Sequence, residues 1–207
     1  PNNADYRYTH PGRVGGDHGG PIWDPMFFYH NTFIGQTHVA FNGLNDHAHG
    51  TQRRTFNNIL LQVEGMPSLR YPRIDEDFKA GGNLYWGVKA GPGFDGDFFG
   101  KYRASKHFRE SKEKYPPGFS LSEKFGDPLF VSFSDNWRIP YDVRLKPGSP
   151  AIDGGVDLPK DWPDCFGKED SGKPDIGVIP FQAKPWSIGV HGRINLFKES
   201  RTERNRK

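Results

Sequence analysis

The chain has 207 residues, and its 26 Gly and 18 Pro, about a fifth of the total, are more backbone punctuation than a helix bundle tolerates. Hydrophobic residues make up only 34 %, but 17 Phe, 8 Tyr and 5 Trp supply large apolar area, so a lean core is within reach. The formal charge of +3 is too small to mark a nucleic-acid binder, and no run approaches the roughly 18 apolar residues of a membrane helix.

The chain starts at Pro1, without a charged-then-apolar leader, so an upstream segment is expected to have been removed or to lie on another piece. A single cysteine, Cys165, cannot form an internal disulfide and leaves the compartment open. Residues 1–25 are rich in glycine and polar side chains. Asp17 and His18 sit between glycine pairs with Trp23 just beyond, which predicts a loop lying over whatever follows. Asp17, His18 and Trp23 are candidates for contact with substrate.

Three short segments then align: Asn31-Thr32-Phe33-Ile34, Asn58-Ile59-Leu60-Leu61 and Asn83-Leu84-Tyr85-Trp86. Each is an Asn followed by a β-favouring run, and the spacings are 27 and 25 residues. An extended path of about 25 residues at ~3.3 Å each is roughly 80 Å long, which suits a closed coil of three short strands with bends and a loop. The spacing therefore predicts a solenoid. Asn tolerates a left-handed bend, and its amide can bond the same residue one coil away, about 4.8 Å along the stack, so Asn31, Asn58 and Asn83 form a structural ladder. Alternation puts Thr32, Ile59, Leu84 and Ile34, Leu61, Trp86 in two inward columns, with Phe33, Leu60 and Tyr85 facing outward. That outward column is apolar. Its expected cover is another segment of the chain, with a sugar-stacking platform or a partner subunit as the alternatives, and Tyr85 is a substrate-binding candidate on that account. His30, beside the first ladder Asn, is expected to be held at the bend by hydrogen bonds rather than used in chemistry.

Six of the eight histidines precede residue 50. The densest cluster is Asn45-Asp46-His47-Ala48-His49, with Arg53 and Arg54 shortly after. In an extended stretch His47 and His49 point the same way, placed to share a metal or a substrate acid, and the alternatives for the stretch are transition-metal binding, a substrate-facing polar loop and a solvated turn. Two nitrogens alone make no metal site, and no metal ligand is assigned. Further on, residues 91–97 read as loop. Asp95 and Asp97 offer oxygens to Ca²⁺ but lack the acids at fixed offsets of an EF-hand, so the cofactor stays open with Ca²⁺ as its candidate. Residues 101–114 are charged and free of Gly and Pro, with the pairs Arg109 and Glu113, Glu110 and Lys114, which predicts a short surface helix ended by Pro116-Pro117.

Asp127-Pro128-Leu129-Phe130-Val131, then Arg144-Leu145, then Gly148-Ser149-Pro150-Ala151-Ile152-Asp153, and finally Asp175-Ile176-Gly177 come in that order. This succession resembles the closing segment of bacterial right-handed parallel β-helix proteins of the pectate lyase-like superfamily. The resemblance spans roughly residues 26–180 and implies an all-β chain: the last coils of a β-helix, a closing segment and one surface helix. Residues 1–25 are then a covering loop, and residues 181–207 an extension whose basic end reads as a solvated tail. It also implies export to an extracellular or periplasmic setting, a polysaccharide partner, and preceding coils on the same parent chain or on a partner subunit.

For β-elimination from a uronate the chemistry needs a cation on the carboxylate and a base for the α-proton. Arg53 or Arg54 with His47 or His49 are the catalytic candidates, with Asp46 beside them as a substrate contact. Hydrolysis would need a pair of carboxylates roughly 5 to 10 Å apart, which the His-rich region does not point to. Two functions follow as expectations: a carbohydrate-active protein that binds and in the lyase version cleaves a polysaccharide, or a non-catalytic structural or adhesive component of a larger assembly.

Overall fold

A computed structural model describes residues 8–9, 26–36, 38–42, 53–65, 67–70, 78–90, 122–136, 138–164 and 166–184. Among these there is no helix; the expected helix at 101–114 and the loop at 91–97 lie outside the described residues. The described residues are all-β, built mainly from parallel sheets.

The strands are short because most runs of β-favouring residues are cut by Gly, Asn or Pro within a few residues. In chain order they are β1 (Tyr8–Thr9), β2 (Met26–Tyr29), β3 (Thr32–Gly35), β4 (His38–Asn42), β5 (Arg53–Phe56), β6 (Ile59–Gln62), β7 (Ser68–Arg70), β8 (Phe78–Gly81), β9 (Leu84–Gly87), β10 (Lys124–Phe125), β11 (Phe130–Ser132) and β12 (Asp142–Leu145). Three parallel stacks result, β2-β5-β8, β3-β6-β9-β10 and β1-β4-β7, together with an antiparallel pair, β11-β12. Thr32, Ile59 and Leu84 stand in register, as do Phe33, Leu60 and Tyr85. The expected alignment of the three Asn-led segments is therefore the observed one.

A fourth layer was not anticipated: Lys124 and Phe125 pair with Leu84 and Tyr85. Its ladder position is held by Glu123. Asn31 donates from both its backbone N and its Nδ2 to Asn58 Oδ1, at 3.0 and 3.1 Å, and Asn58 repeats this toward Asn83 Oδ1 at 3.0 and 2.9 Å. Asn83 donates the same two groups to the Glu123 carboxylate, both at 2.9 Å. Each rung hands two N–H groups to the next oxygen, so the last rung needs acceptors and no donors. A carboxylate meets that need.

The left-handed bend falls one residue earlier than the sequence suggests. His30, Asn57 and Gly82 have φ of 51°, 52° and 64°, while the ladder Asn follows them. The column that turns the chain is thus separate from the column that bonds layer to layer. At Gly82 a Cβ would lie 2.4 Å from Asn57 Oδ1, so glycine is required there by space as well as by φ.

The apolar columns also change places. Ile59, Leu61 and Leu84, expected to face inward, pack against Phe130, Leu145, Ala151 and Ile176 of the closing segment. Leu60 and Tyr85, expected to face outward, are buried on the other side, with Phe125 stacked on Tyr85 at 5.8 Å between ring centroids. A strand buried on both faces reads as an unbroken apolar run, and alternation alone cannot say which face is which. The cover is a segment of the same chain, as expected, but it lies on the Ile59 and Leu61 face.

Carboxylates hold the closing segment in place. Asp175 is 3 % exposed; Oδ1 accepts from Asp153 N at 2.7 Å and Oδ2 from Phe181 N at 2.5 Å. Asp153 Oδ1 in turn accepts from Lys173 N at 3.0 Å. Gly177, at φ 106°, lets the backbone press on the stack: a Cβ there would meet Ile59 Cδ1 at 2.7 Å. The acids and glycine of the Ala-Ile-Asp and Asp-Ile-Gly motifs are therefore fastenings.

Candidate functional site

The β2-β5-β8 stack offers one face to the outside. Thr55 and Ala80 are buried, so their neighbours in these strands, Arg54, Phe56 and Lys79, occupy the opposite face, and the register adds Phe27 and Tyr29 to it. Phe27, Arg54 and Lys79 form one column across three strands. Phe27 is 40 % exposed. Residues 156–164 cross this face and lay Trp162 on it. The indole lies 4.8 Å from Phe27 edge-to-face, 5.2 Å from Tyr29 and 6.0 Å from Phe56, centroid to centroid. Tyr29 Oη donates to Pro163 O at 2.7 Å, which fastens the crossing segment beside its tryptophan.

His30 sits at the edge of this face, at the bend after β2. Its Nε2 lies 3.4 Å from Asn57 Nδ2 and 4.0 Å from Asp164 Oδ2. Asn57 grips residue 156 with both ends of its amide: Oδ1 accepts from Val156 N at 2.8 Å and Nδ2 donates to Val156 O at 2.9 Å. Those two bonds fix which end of the amide is which, so Nε2 of His30 faces a donor and must itself accept. The ring also bonds the Asp175 backbone. Burial pulls the imidazole below its ordinary pKa, against the opposing pull of Asp164, Asp170 and Asp175. Burial pushes the Asp170 carboxyl up, an effect offset in part by its bond from Asp175 N. His30 is thus a neutral group engaged in holding structure, the role expected for it.

The other sequence candidates fall in different places. His47, His49, Asp46, Asp17, His18 and Trp23 lie outside the described residues, as do Asp95 and Asp97. Arg53 lies in β5 in register with Met26 and Phe78, and its side chain is outside the described set. Arg54 is half-buried on the aromatic face. Tyr85 requires a correction: at 1 % exposure it has no ring face to offer a sugar, because Phe125 of the next layer covers it. Burial first, and then the Glu123 charge, push its phenol well above the ordinary range, so it stays protonated.

Among the described residues no group of three or more His, Cys, Asp or Glu is arranged to hold a metal ion, and no helix is long and apolar enough to cross a membrane. Phe27, Tyr29, Phe56, Lys79 and Trp162 were not singled out from sequence. The first four were within reach, since the residues before each ladder pair repeat at the ladder's own spacing. Trp162 arrives from more than a hundred residues away and has no such marker. No family model matches the chain, and comparison with curated proteins and with solved structures finds no significant match.

Proposed function

We propose that the three parallel stacks are faces of a right-handed parallel β-helix of the pectate lyase-like kind, and that the chain is a polysaccharide-binding part of an exported bacterial protein. The observation that carries the proposal is the column Phe27, Arg54, Lys79 with Trp162 packed edge-to-face against Phe27. Aromatic faces suit the apolar CH faces of sugar rings, and an arginine and a lysine at strand spacing suit the carboxylates of an acidic chain. Strand β1, paired with β4 ahead of the first ladder rung, supports the expectation of a preceding layer, on this parent chain or on a partner. The setting that goes with such a protein is extracellular or periplasmic.

In the lyase version the step is β-elimination: Arg53 or Arg54 neutralises the uronate carboxylate, His47 or His49 takes the α-proton, and as the C=C bond forms the C–O bond to the leaving sugar breaks, its oxygen gaining a proton from solvent. One observation favours the non-catalytic alternative, a structural or adhesive component that holds glycan without cutting it. His30, Asp153 and Asp175 all serve as fastenings, with their polar atoms committed to holding the closing segment and its neighbours in place.

Calorimetric titration with an oligouronate and with a neutral oligosaccharide of equal length tests the proposal. The acidic oligomer is expected to bind, and Arg54→Ala to weaken it by about tenfold, a loss that shrinks as salt screens the pair. Binding of neither oligomer, or an Arg54→Ala variant that binds like the parent, contradicts it. An assay for unsaturated products separates the versions: product that disappears in His47→Ala marks a lyase, while absence of product with intact binding marks the adhesive component.

A further inference from the structure

We propose that His30 is an acid-sensitive pin for the segment 156–164, holding Trp162 over the aromatic face near neutral pH and releasing it on acidification. The pin is geometric. Asn57 has its amide committed to Val156 at both ends, and the second hydrogen on its Nδ2 points at Nε2 of His30. A proton on Nε2 turns that contact into two donors facing each other. The strain falls on Asn57 and, through it, on the two bonds that hold Val156, the residue from which the Trp162 segment departs.

Every group that faces the imidazole bears on the sign. Among the described residues, segment 156–164 contributes Asp164, the closing turn contributes Asp170 and Asp175 with the Asp175 backbone, the bend after β5 contributes the neutral amide of Asn57, and Tyr29 flanks the ring at 6.1 Å between centroids. The acids favour imidazolium; burial and the Asn57 donor oppose it. The His30 side chain is 17 % exposed and that of Asp164 39 % exposed at 4.0 Å, so the nearest attraction is screened while the ring's own desolvation is not. Burial wins, and the imidazole sits below its ordinary value. A group so lowered stabilises the closed arrangement fully above the ordinary imidazole pKa of about 6.5 and loses that contribution as pH falls below it. Acid therefore opens the segment.

The consequence for ligand rests on the glycan-binding reading of this face: opening removes Trp162 from Tyr29 and Phe56 and exposes both to a sugar chain. Asp164→Asn removes an attraction that favours imidazolium in the closed arrangement, so protonation costs that arrangement more and the loss of protection in acid deepens.

Hydrogen exchange of the 156–164 backbone, normalised to the unfolded-chain rate at each pH, tests the pin, with the Leu60 and Leu84 amides as an internal measure of global stability. Protection of 156–164 is expected to fall by about tenfold from about pH 7.5 to about pH 5, with the core amides unchanged. His30→Asn, which keeps a residue tolerant of the left-handed bend, is expected to abolish the pH dependence, and Asp164→Asn to deepen the loss of protection at about pH 5. Unchanged protection across that range, full pH dependence in His30→Asn, or a loss in acid made shallower by Asp164→Asn would overturn the pin. Oligouronate titration at both pH values is read separately. Release of the segment with no binding at either pH supports the pin and sinks only the reading of the face.

Discussion

The layered stack and the closing segment both bury polar backbone, and they satisfy it with different chemistry. In the stack the Asn ladder passes two N–H groups from rung to rung, each amide acting as donor and acceptor, and only the final rung uses a charge, at Glu123. The closing segment has no repeat to share the task. Single carboxylates, Asp153 and Asp175, collect backbone N–H groups from positions 20 and 22 residues away. A repeat spreads its polar satisfaction over several equivalent residues, whereas a closing turn concentrates it on one. Substitutions in the turn should therefore cost more per residue than substitutions at the end of the ladder.

The largest effect is expected at Asp175. Asp175→Ala removes two charge-assisted acceptors and leaves the part-buried Asp153 and Phe181 amides without them, so urea unfolding should show a loss of about 3 kcal/mol. Gly177→Ala comes next, at about 2 kcal/mol, because its φ of 106° is strained for any Cβ and the added methyl collides with Ile59. The smallest is Glu123→Gln, at about 1 kcal/mol: the amide keeps one acceptor for Asn83 but turns a donor toward the other N–H. An Asp175→Ala loss no greater than that of Glu123→Gln would erase the distinction between the two regions.

The same contrast explains what was legible in the sequence. Asn31, Asn58 and Asn83 announce themselves because a repeat places one residue type at one spacing, and the structure keeps that register. Glu123 escaped because it follows Asn83 by 40 residues, outside the ladder's spacing, and changes the residue type that ends the ladder. The columns were found and their faces exchanged, since Ile59, Leu60 and Leu61 are all buried and alternation carries no sign. The candidate site was half legible for the same reason. Arg54 and its column follow from the register, while Trp162, Pro163 and Asp164 reach the face through tertiary approach that no local pattern encodes.

Mapping of backbone amide and indole shifts by nuclear magnetic resonance during titration with an oligouronate tests the proposed function most directly. The largest shifts are expected at Phe27, Arg54, Lys79 and the Trp162 indole, with the buried Leu60 and Tyr85 amides still. Saturable shifts confined to other parts of the molecule, or none at all, would contradict a glycan-binding face on the β2-β5-β8 stack.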